Sequence, residues 1–318
     1  MVRPNHRVTT VVSDITRENS AILTFTLMDP DGWALPPFQA GAHIDVHLPN
    51  GAVRQYSLCG DPADRQHYRL AVQREANGRG GSVLLHDTVR VGDTLLVSLP
   101  RNHFPLAPSA GRHVLIGGGI GLTPIMAMAE TLRRRGDAFA IHACVRSRAD
   151  MPFRGWLEPL ERQGLARIHG SRDADGARLD IADLVRALPE DAHVYCCGPT
   201  RMIEAVLAAG AGRPEDSVHV EHFGSARIPP GGEAFTVDLA RSKRSIPVAA
   251  GMTIVEALRE AGVEIDASCE GGACLTCKTR YLDGVPIHRD LVMKPAERRE
   301  FMTPCVSGCA SERLVLDL

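Results

Sequence analysis

No stretch of this sequence is long and apolar enough to span a bilayer. The most apolar run, VLIGGGIGLTPIMAMA at residues 114–129, is short and interrupted by four glycines. No apolar segment follows the opening MVRPNHRVTT, so a secretory leader is not expected. An excess of charge is missing as well. The formal net charge is −2, which leaves no general electrostatic pull toward nucleic acid or an anionic membrane. There is no internal repeat and no low-complexity tract. What remains is an ordinary globular composition, 44% hydrophobic and 23% charged over 318 residues, enough for two or three domains. A soluble, cytoplasmic protein is expected.

A disulfide framework is also not expected. Nine cysteines in 318 residues are an odd and sparse set, and a reducing cytosol would keep them as thiols. Their distribution is uneven. Cys269, Cys274, Cys277, Cys305 and Cys309 all fall in the last fifty residues.

The texture of the chain changes twice. Up to about residue 108, short alternating or apolar runs at 20–29, 43–49, 53–60, 68–75 and 93–100 lie between Gly, Pro, Asp and Asn breaks. They predict a small antiparallel β-barrel. From 109 to 224, strand-like and helix-like segments alternate, which predicts a parallel sheet with covered faces. The strand ending in YCCGP (195–199) reads as the last of that region. Residues 225–233 are Pro/Gly-rich and read as a linker. Residues 234–318 open with a hairpin and a helix and then carry the cysteine cluster.

In that cluster, SCEGGACLTCK (268–278) has the spacing C-x4-C-x2-C, the plant-type [2Fe–2S] arrangement. Thiolates are soft anionic donors suited to iron–sulfur clusters. The glycines between them let backbone N–H groups approach sulfur. The fourth ligand is either Cys305 or Cys309. A zinc site is the rival reading, although zinc usually takes two short C-x2-C arms.

Such a cluster passes single electrons and needs a donor. RQYSL (54–58) has the form R-x-Y-S, which can set a cation near a phosphate and a ring along a flat cofactor. NGRGGSVLLHD (77–87) reads as a glycine turn entering a helix, with free N–H groups and the Ser82 hydroxyl forming an anion site. GGGIGLTP (117–124) follows a strand and opens a helix. Its glycines do not fit G-x-G-x-x-G, but they would let a dinucleotide approach the backbone. Cys196 and Cys197 are adjacent on a strand and point to opposite sides, so they are no chelating pair. Cys197, beside Gly198 and Pro199 at the strand end, is the one expected at the reacting centre.

In this order, R-x-Y-S, the glycine turn with serine, GGGIGLTP, CCGP, H-F-G and C-x4-C-x2-C…C, the whole chain resembles the phthalate dioxygenase reductase family. Vanillate demethylase reductase subunits are similar. The resemblance implies an FMN-binding β-barrel over 1–108, a nicotinamide-binding α/β domain over 109–224 and a plant-type ferredoxin domain of the α+β, β-grasp kind over 234–318. It implies that Arg54, Tyr56 and Ser57 contact the FMN, with Val72, Gln73 and Arg74 on a second strand and Gly80, Gly81 and Ser82 at its phosphate. Lysine is common in relatives where Gln73 stands. Thr123 would lie between flavin and nicotinamide, with Phe223 near the flavin. Gly118, Gly119, Cys197, Gly198 and Pro199 would line the nicotinamide side, and Arg146 and Ser147 the adenosine half. Relatives end in Cys-Val-Ser-Arg and Leu-Val-Leu-Asp-Leu. The matching CVS (305–307) and LVLDL (314–318) favour Cys305 as fourth ligand, while Gly308 replaces the arginine and Cys309 is extra.

The implied activity is electron transfer from NADH through FMN to the [2Fe–2S] cluster. The acceptor implied is a Rieske-type oxygenase component acting on an aromatic or small carboxylated substrate, met in a transient complex by a monomeric reductase. The loop around Glu270 is the expected docking surface. A haem monooxygenase or free flavin is an alternative acceptor, and a zinc-stabilised, non-enzymatic binding protein is a remote one.

Overall fold

The computed structural model of the chain describes residues 7–108, 111–173, 176, 178–223, 232–267 and 269–318, the side chain of Glu215 apart. They divide into two compact units, one ending at Glu221 and one beginning at His222.

The first unit opens with β1 (Arg7–Arg17), β2 (Ile22–Met28), β3 (Ala42–His47), β4 (Val53–Ser57), β5 (His67–Gln73), α1 (Gly81–Thr88), β6 (Thr94–Ser98) and β7 (Arg101–Asn102). The strands pair antiparallel in the order β4-β3-β6-β1-β2-β5, with β7 on β3. A bridge between Leu58 and Leu70 joins the two ends, so the sheet closes on itself. Closure removes exposed sheet edges. Phe25, Leu27, Ile44, Val46, Leu70 and Val97 fill the interior, each at most 2% exposed. β1 is an addition to the sequence reading, which began the barrel near residue 20. Its β-branched run RVTTVVSDITR pairs with both β2 and β6.

β8 (Arg112–Gly118), α2 (Leu122–Arg135), β9 (Phe139–Val145), α3 (Arg154–Arg162), β10 (Ala166–Gly170), α4 (Ile181–Arg186), β11 (Ala192–Cys197), α5 (Thr200–Ala209) and β12 (Val218–Glu221) follow. All five strands are parallel, in the order β10-β9-β8-β11-β12. α2 buries Ile125, Met128, Ala129 and Leu132 on one stripe. It ends in three arginines and the left-handed Gly136, as its sequence predicts. The strand ending at Cys197 is not the last. β12 follows it and adds an edge to the sheet. Four residues after a short 3-10 turn carry too little pattern to be read as a strand.

The barrel and the parallel sheet are separate sheets, as the sequence predicts, and they pack within one compact unit. Specific contacts join them. Tyr195 Oη accepts the Ala107 N–H at 2.8 Å, and its ring meets Phe104 edge-on. Asp150 accepts from the Ser20 hydroxyl at 3.1 Å, and the Phe153 N–H donates to Glu18. Most of the expected linker, 225–233, lies outside the described residues.

The second unit contains β13 (Phe235–Leu239), β14 (Arg244–Val248), α6 (Ile254–Glu260), β15 (Thr279–Asp283), β16 (Pro286–Ile287), β17 (Phe301–Met302), β18 (Gly308–Cys309) and β19 (Arg313–Leu316). Its mixed sheet runs β14-β13-β19-β15-β17, with β13 and β19 parallel at the centre. α6 starts with a capping box between Thr253 and Glu256 and buries Ile254, Ala257 and Leu258 against Val237, Ile246 and Leu314. Among the described residues, no helix of the chain is long and apolar enough to cross a membrane.

Candidate functional site

The parallel sheet reverses its winding between β8 and β11, because β9 and β10 lie on one side of β8 and β11 and β12 on the other. Ligands of open α/β sheets bind at the carboxyl ends of strands at such a switch. GGGIG leaves β8 there and CCGP leaves β11. They are in direct contact. A Cβ on Gly121 would lie 2.2 Å from the Cys197 carbonyl oxygen, and one on Gly118 would lie 2.8 Å from Pro199 Cδ. Only glycine allows this approach. Gly119 faces open space at φ +58°, and the first turn of α2 carries no acidic residue. Bare backbone, an anion-tolerant helix start and a sheet switch are what a dinucleotide requires.

The sequence-predicted side chains are placed less uniformly. Thr123 is 1% exposed, and its hydroxyl donates to the Ile120 carbonyl at 2.9 Å. Cys197 is fully enclosed. Burial pushes its thiol well above its ordinary range, with the nearby Glu221 and Cys196 adding to the effect. It is held as a neutral thiol. Arg146 is exposed just past β9. Ser147 accepts the Asp150 N–H there at 3.4 Å, while Arg148 is spent on a two-pronged pair with Glu161 at 2.7 and 2.8 Å.

Glu221, the last residue of β12, is the site residue that sequence reasoning missed. Ser57 Oγ lies 3.4 Å from its Oε2. Burial raises its carboxyl from 4.5 to about 8, with the Ser57 hydroxyl opposing. A carboxyl that stays protonated near neutrality, between the R-x-Y-S serine and Cys197, can hold or pass a proton. A lone acid ending the alternating run VHVE was the available signal. Because the folded-state value lies above the unfolded one, this group's contribution to stability is complete below about 4.5 and is lost as pH rises toward about 8. Glu221→Gln should therefore lose less thermal stability than the natural chain between pH 5 and pH 9. Parallel melting curves across that range would show the Glu-specific proton to be absent.

On the barrel, Arg54 and the glycine turn are brought together. The Arg54 guanidinium donates to the Arg79 and Val53 carbonyls at 2.8 Å each, and its Cγ would lie 2.6 Å from a Cβ on Gly81. Gly80 caps α1 at φ +77°, and no acidic residue sits in that helix's first turn. A fixed cation beside a helix start fits a phosphate. Ser82 accepts the Glu75 N–H at 3.0 Å, which holds the turn against β5. Tyr56 is half-buried, and burial pushes its phenol up to about 12. Val72 is buried in the core, and its carbonyl lies 2.8 Å from His86 Nε2. Gln73 reaches Glu75, and Arg74 pairs with Asp87 at 3.0 Å. Phe223 belongs to the second unit and is half-buried there.

The cysteines of the second unit fall into two pairs. Cys277 and Cys305 are 3.2 Å apart, sulfur to sulfur, and Cys269 shares a hydrogen bond with Cys274. Each pair holds one thiol below its ordinary range: Cys305 beside Cys277, and Cys274 beside Cys269. Backbone N–H groups of Gly271, Gly272 and Ala273 point at sulfur. Two thiols for each of two irons, ringed by N–H donors, fit a [2Fe–2S] cluster. A zinc site would gather all four on one ion. Among the described residues no three His, Cys, Asp or Glu side chains converge that way. Cys309 lies elsewhere, in the core with Leu314 and Met302, 3.1 Å from the Ser311 hydroxyl. Glu270 and Leu275 hold left-handed backbone within the loop, at φ +47° and +55°. Such geometry costs about 1–3 kcal/mol per residue and clusters at functional sites. The Glu270 carboxylate is bound to Arg259 at 2.7 Å.

The comparisons agree with this division. Residues 237–310 match the 2Fe-2S iron-sulfur cluster binding domain, and residues 115–208 match the oxidoreductase NAD-binding domain. The phthalate dioxygenase reductase of Burkholderia cepacia is 40% identical over 299 residues, covering 93% of each chain. The chain belongs to the phthalate dioxygenase reductase family. A solved structure of a phthalate dioxygenase reductase, described as modular for electron transfer from pyridine nucleotides to [2Fe–2S], superposes with a TM-score of 0.80. It is 38% identical and covers 98% of both chains. Another relative is the phenoxybenzoate dioxygenase subunit beta of Ectopseudomonas oleovorans, 45% identical over 93% of each chain. As a member of the phthalate dioxygenase reductase family, the protein is an oxidoreductase with a nicotinamide-binding and an iron–sulfur domain.

Proposed function

We propose that this reductase takes electrons from NADH, holds them on FMN and passes them singly through a [2Fe–2S] cluster to a Rieske-type oxygenase component. The observation that carries this reading is the pairing of Cys269 with Cys274 and of Cys277 with Cys305, in a chain whose switch point also offers a dinucleotide site. The bound cofactors supply the redox chemistry: a flavin accepts two electrons together and releases them one at a time.

The chain's own residues supply placement. Arg54 and the start of α1 would hold the FMN phosphate, with Gly80, Gly81 and Ser82 as the turn. Tyr56 and Ser57 would lie along the flavin, Val72, Gln73 and Arg74 beside its ribityl chain, and Phe223 near its ring. Gly118, Gly119, Gly198 and Pro199 would admit the nicotinamide, Thr123 would pack between the two rings, and Arg146 and Ser147 would meet the adenosine half. Cys269, Cys274, Cys277 and Cys305 would ligate iron. Each oxidised NADH leaves one proton behind, and the protonated Glu221 with the Ser57 hydroxyl would relay it, releasing its own proton as it accepts the next. The neutral, enclosed Cys197 would keep water from the reacting carbon.

Relatives named as a dioxygenase subunit and as a dioxygenase reductase support an oxygenase as partner. We place the reductase in the cytoplasm as a monomer that meets this partner in a small, short-lived encounter. An anaerobic NADH titration followed by visible absorption tests the reading. Flavin and cluster bands should both bleach completely at about 1.5 NADH per protein, two electrons going to the flavin and one to the cluster. A purified protein without either set of bands after cofactor reconstitution would sink it. Comparing a Rieske oxygenase with a haem monooxygenase as acceptor then separates the two classes of partner.

A further inference from the structure

Outside the sites above, the second unit holds an ion pair between the buried Asp290 and the half-buried Arg298. The Asp290 side chain has no exposed surface. Arg298 Nη2 donates to its carboxylate at 3.0 Å and to its backbone carbonyl at 2.9 Å, and the Met293 N–H donates to Oδ2 at 2.8 Å. His288 Nδ1 approaches the carboxylate at 3.9 Å. Asp290 Oδ1, Arg298 Nε and His288 Nδ1 are all buried without a hydrogen-bond partner among the described residues. Stability alone does not favour this arrangement. A buried ion pair is often no better than apolar packing, and each unmatched polar atom costs about 1–3 kcal/mol.

Its position gives it a use. Between these residues the Leu291 N–H donates to the Gly272 carbonyl at 3.0 Å. The same Gly272 lies in the loop between Cys269 and Cys274, and its backbone is near enough to Cys305 to lower that thiol. Gly272 sits at φ +72°, and a Cβ there would lie 3.0 Å from Asp290 Cα and 2.8 Å from Val306 Cγ2. No side chain fits between the pair's loop and the cysteine loop. One covalent and hydrogen-bonded path therefore runs from Asp290 and Arg298 through Leu291 to Gly272, inside the loop that carries Cys269 and Cys274.

We infer that Asp290 and Arg298 are positioning residues that set the cluster's reduction potential, as two opposed charges locked against the loop that holds it. The inference rests on the assignment of the cluster to the four cysteines. Reduction adds one negative charge to the cluster. The Asp290 carboxylate opposes that charge and the Arg298 guanidinium favours it. Removing one charge leaves the other uncompensated, so the two removals act in opposite directions. A purely structural role has no such sign.

The test is a redox titration of the full-length, cluster-loaded protein, followed by visible absorption. Asp290→Asn should shift the reduction equilibrium at least tenfold toward the reduced cluster, and Arg298→Gln at least tenfold toward the oxidised one, about 59 mV each for a one-electron couple. Shifts of the same sign, or shifts below twofold in both, overturn the inference. If a single variant does not retain its cluster, the double variant decides. A return to within threefold of the natural protein supports charge compensation, and a larger displacement overturns it. Natural protein that shows flavin bands but no cluster bands overturns the cluster assignment, and this inference with it.

Discussion

Cys305→Ser is expected to abolish the cluster absorption, while Cys309→Ser leaves it intact. The two thiols are four residues apart, and both are buried. Of the two, only Cys305 lies against another cysteine of the cluster, 3.2 Å from Cys277. A serine there is a harder, less acidic donor, which iron in such a cluster accepts poorly. NADH oxidation with ferricyanide, which draws on the flavin, should persist in the Cys305 variant. Electron delivery to cytochrome c, which needs a one-electron relay, should fall at least a hundredfold. Cys309→Ser exchanges a buried thiol for a hydroxyl in a core of Leu314 and Met302. Its expected cost is about 1 kcal/mol of stability, with the visible spectrum unchanged. Equal loss of the cluster in both variants would show that the ligand assignment is wrong.

The second large effect concerns the flavin. Arg54→Gln should weaken FMN binding about 10- to 150-fold, the equivalent of one charge-assisted contact worth about 1.5–3 kcal/mol. Arg54 is held by the Val53 and Arg79 carbonyls and stacked on the bare face of Gly81. It is thus fixed before the phosphate arrives, and little ordering cost remains at binding. Gly81→Ala probes the same arrangement from the other side. Its Cβ would meet Arg54 Cγ at 2.6 Å and push the guanidinium off the turn. It should weaken FMN by an intermediate factor with Arg54 still present. Titration of the apoprotein by quenching of FMN fluorescence measures both. An Arg54→Gln protein that binds FMN within twofold of the natural chain would remove Arg54 from the site.

The residues whose chemistry is local were legible in the chain. The C-x4-C-x2-C spacing, GGGIGLTP after an apolar strand, and the helical stripe at 125, 128, 129 and 132 each encode their neighbours within one turn or loop. The structure keeps all three. Glu221 was not legible, because its partner Ser57 is 164 positions away. A lone acid on a four-residue strand has no meaning until the barrel and the sheet pack. The same holds for β1, which only its pairing with β2 and β6 defines as part of the barrel. The joining of barrel and parallel sheet into one unit depends on Tyr195, Asp150 and Glu18 meeting distant backbone, which no composition boundary records.

By itself, then, the sequence determined the order of the three architectures, the ligand types and the three clustered thiols, because periodicity and short spacing are written in adjacent residues. The tertiary structure decided which distant groups complete each site. It set Cys305 rather than Cys309 against Cys277, put Glu221 beside Ser57, and locked Asp290 and Arg298 onto the cysteine loop. Such choices depend on contacts between residues far apart in the chain, and their energies exist only once the intervening chain is folded and water has been excluded from between them.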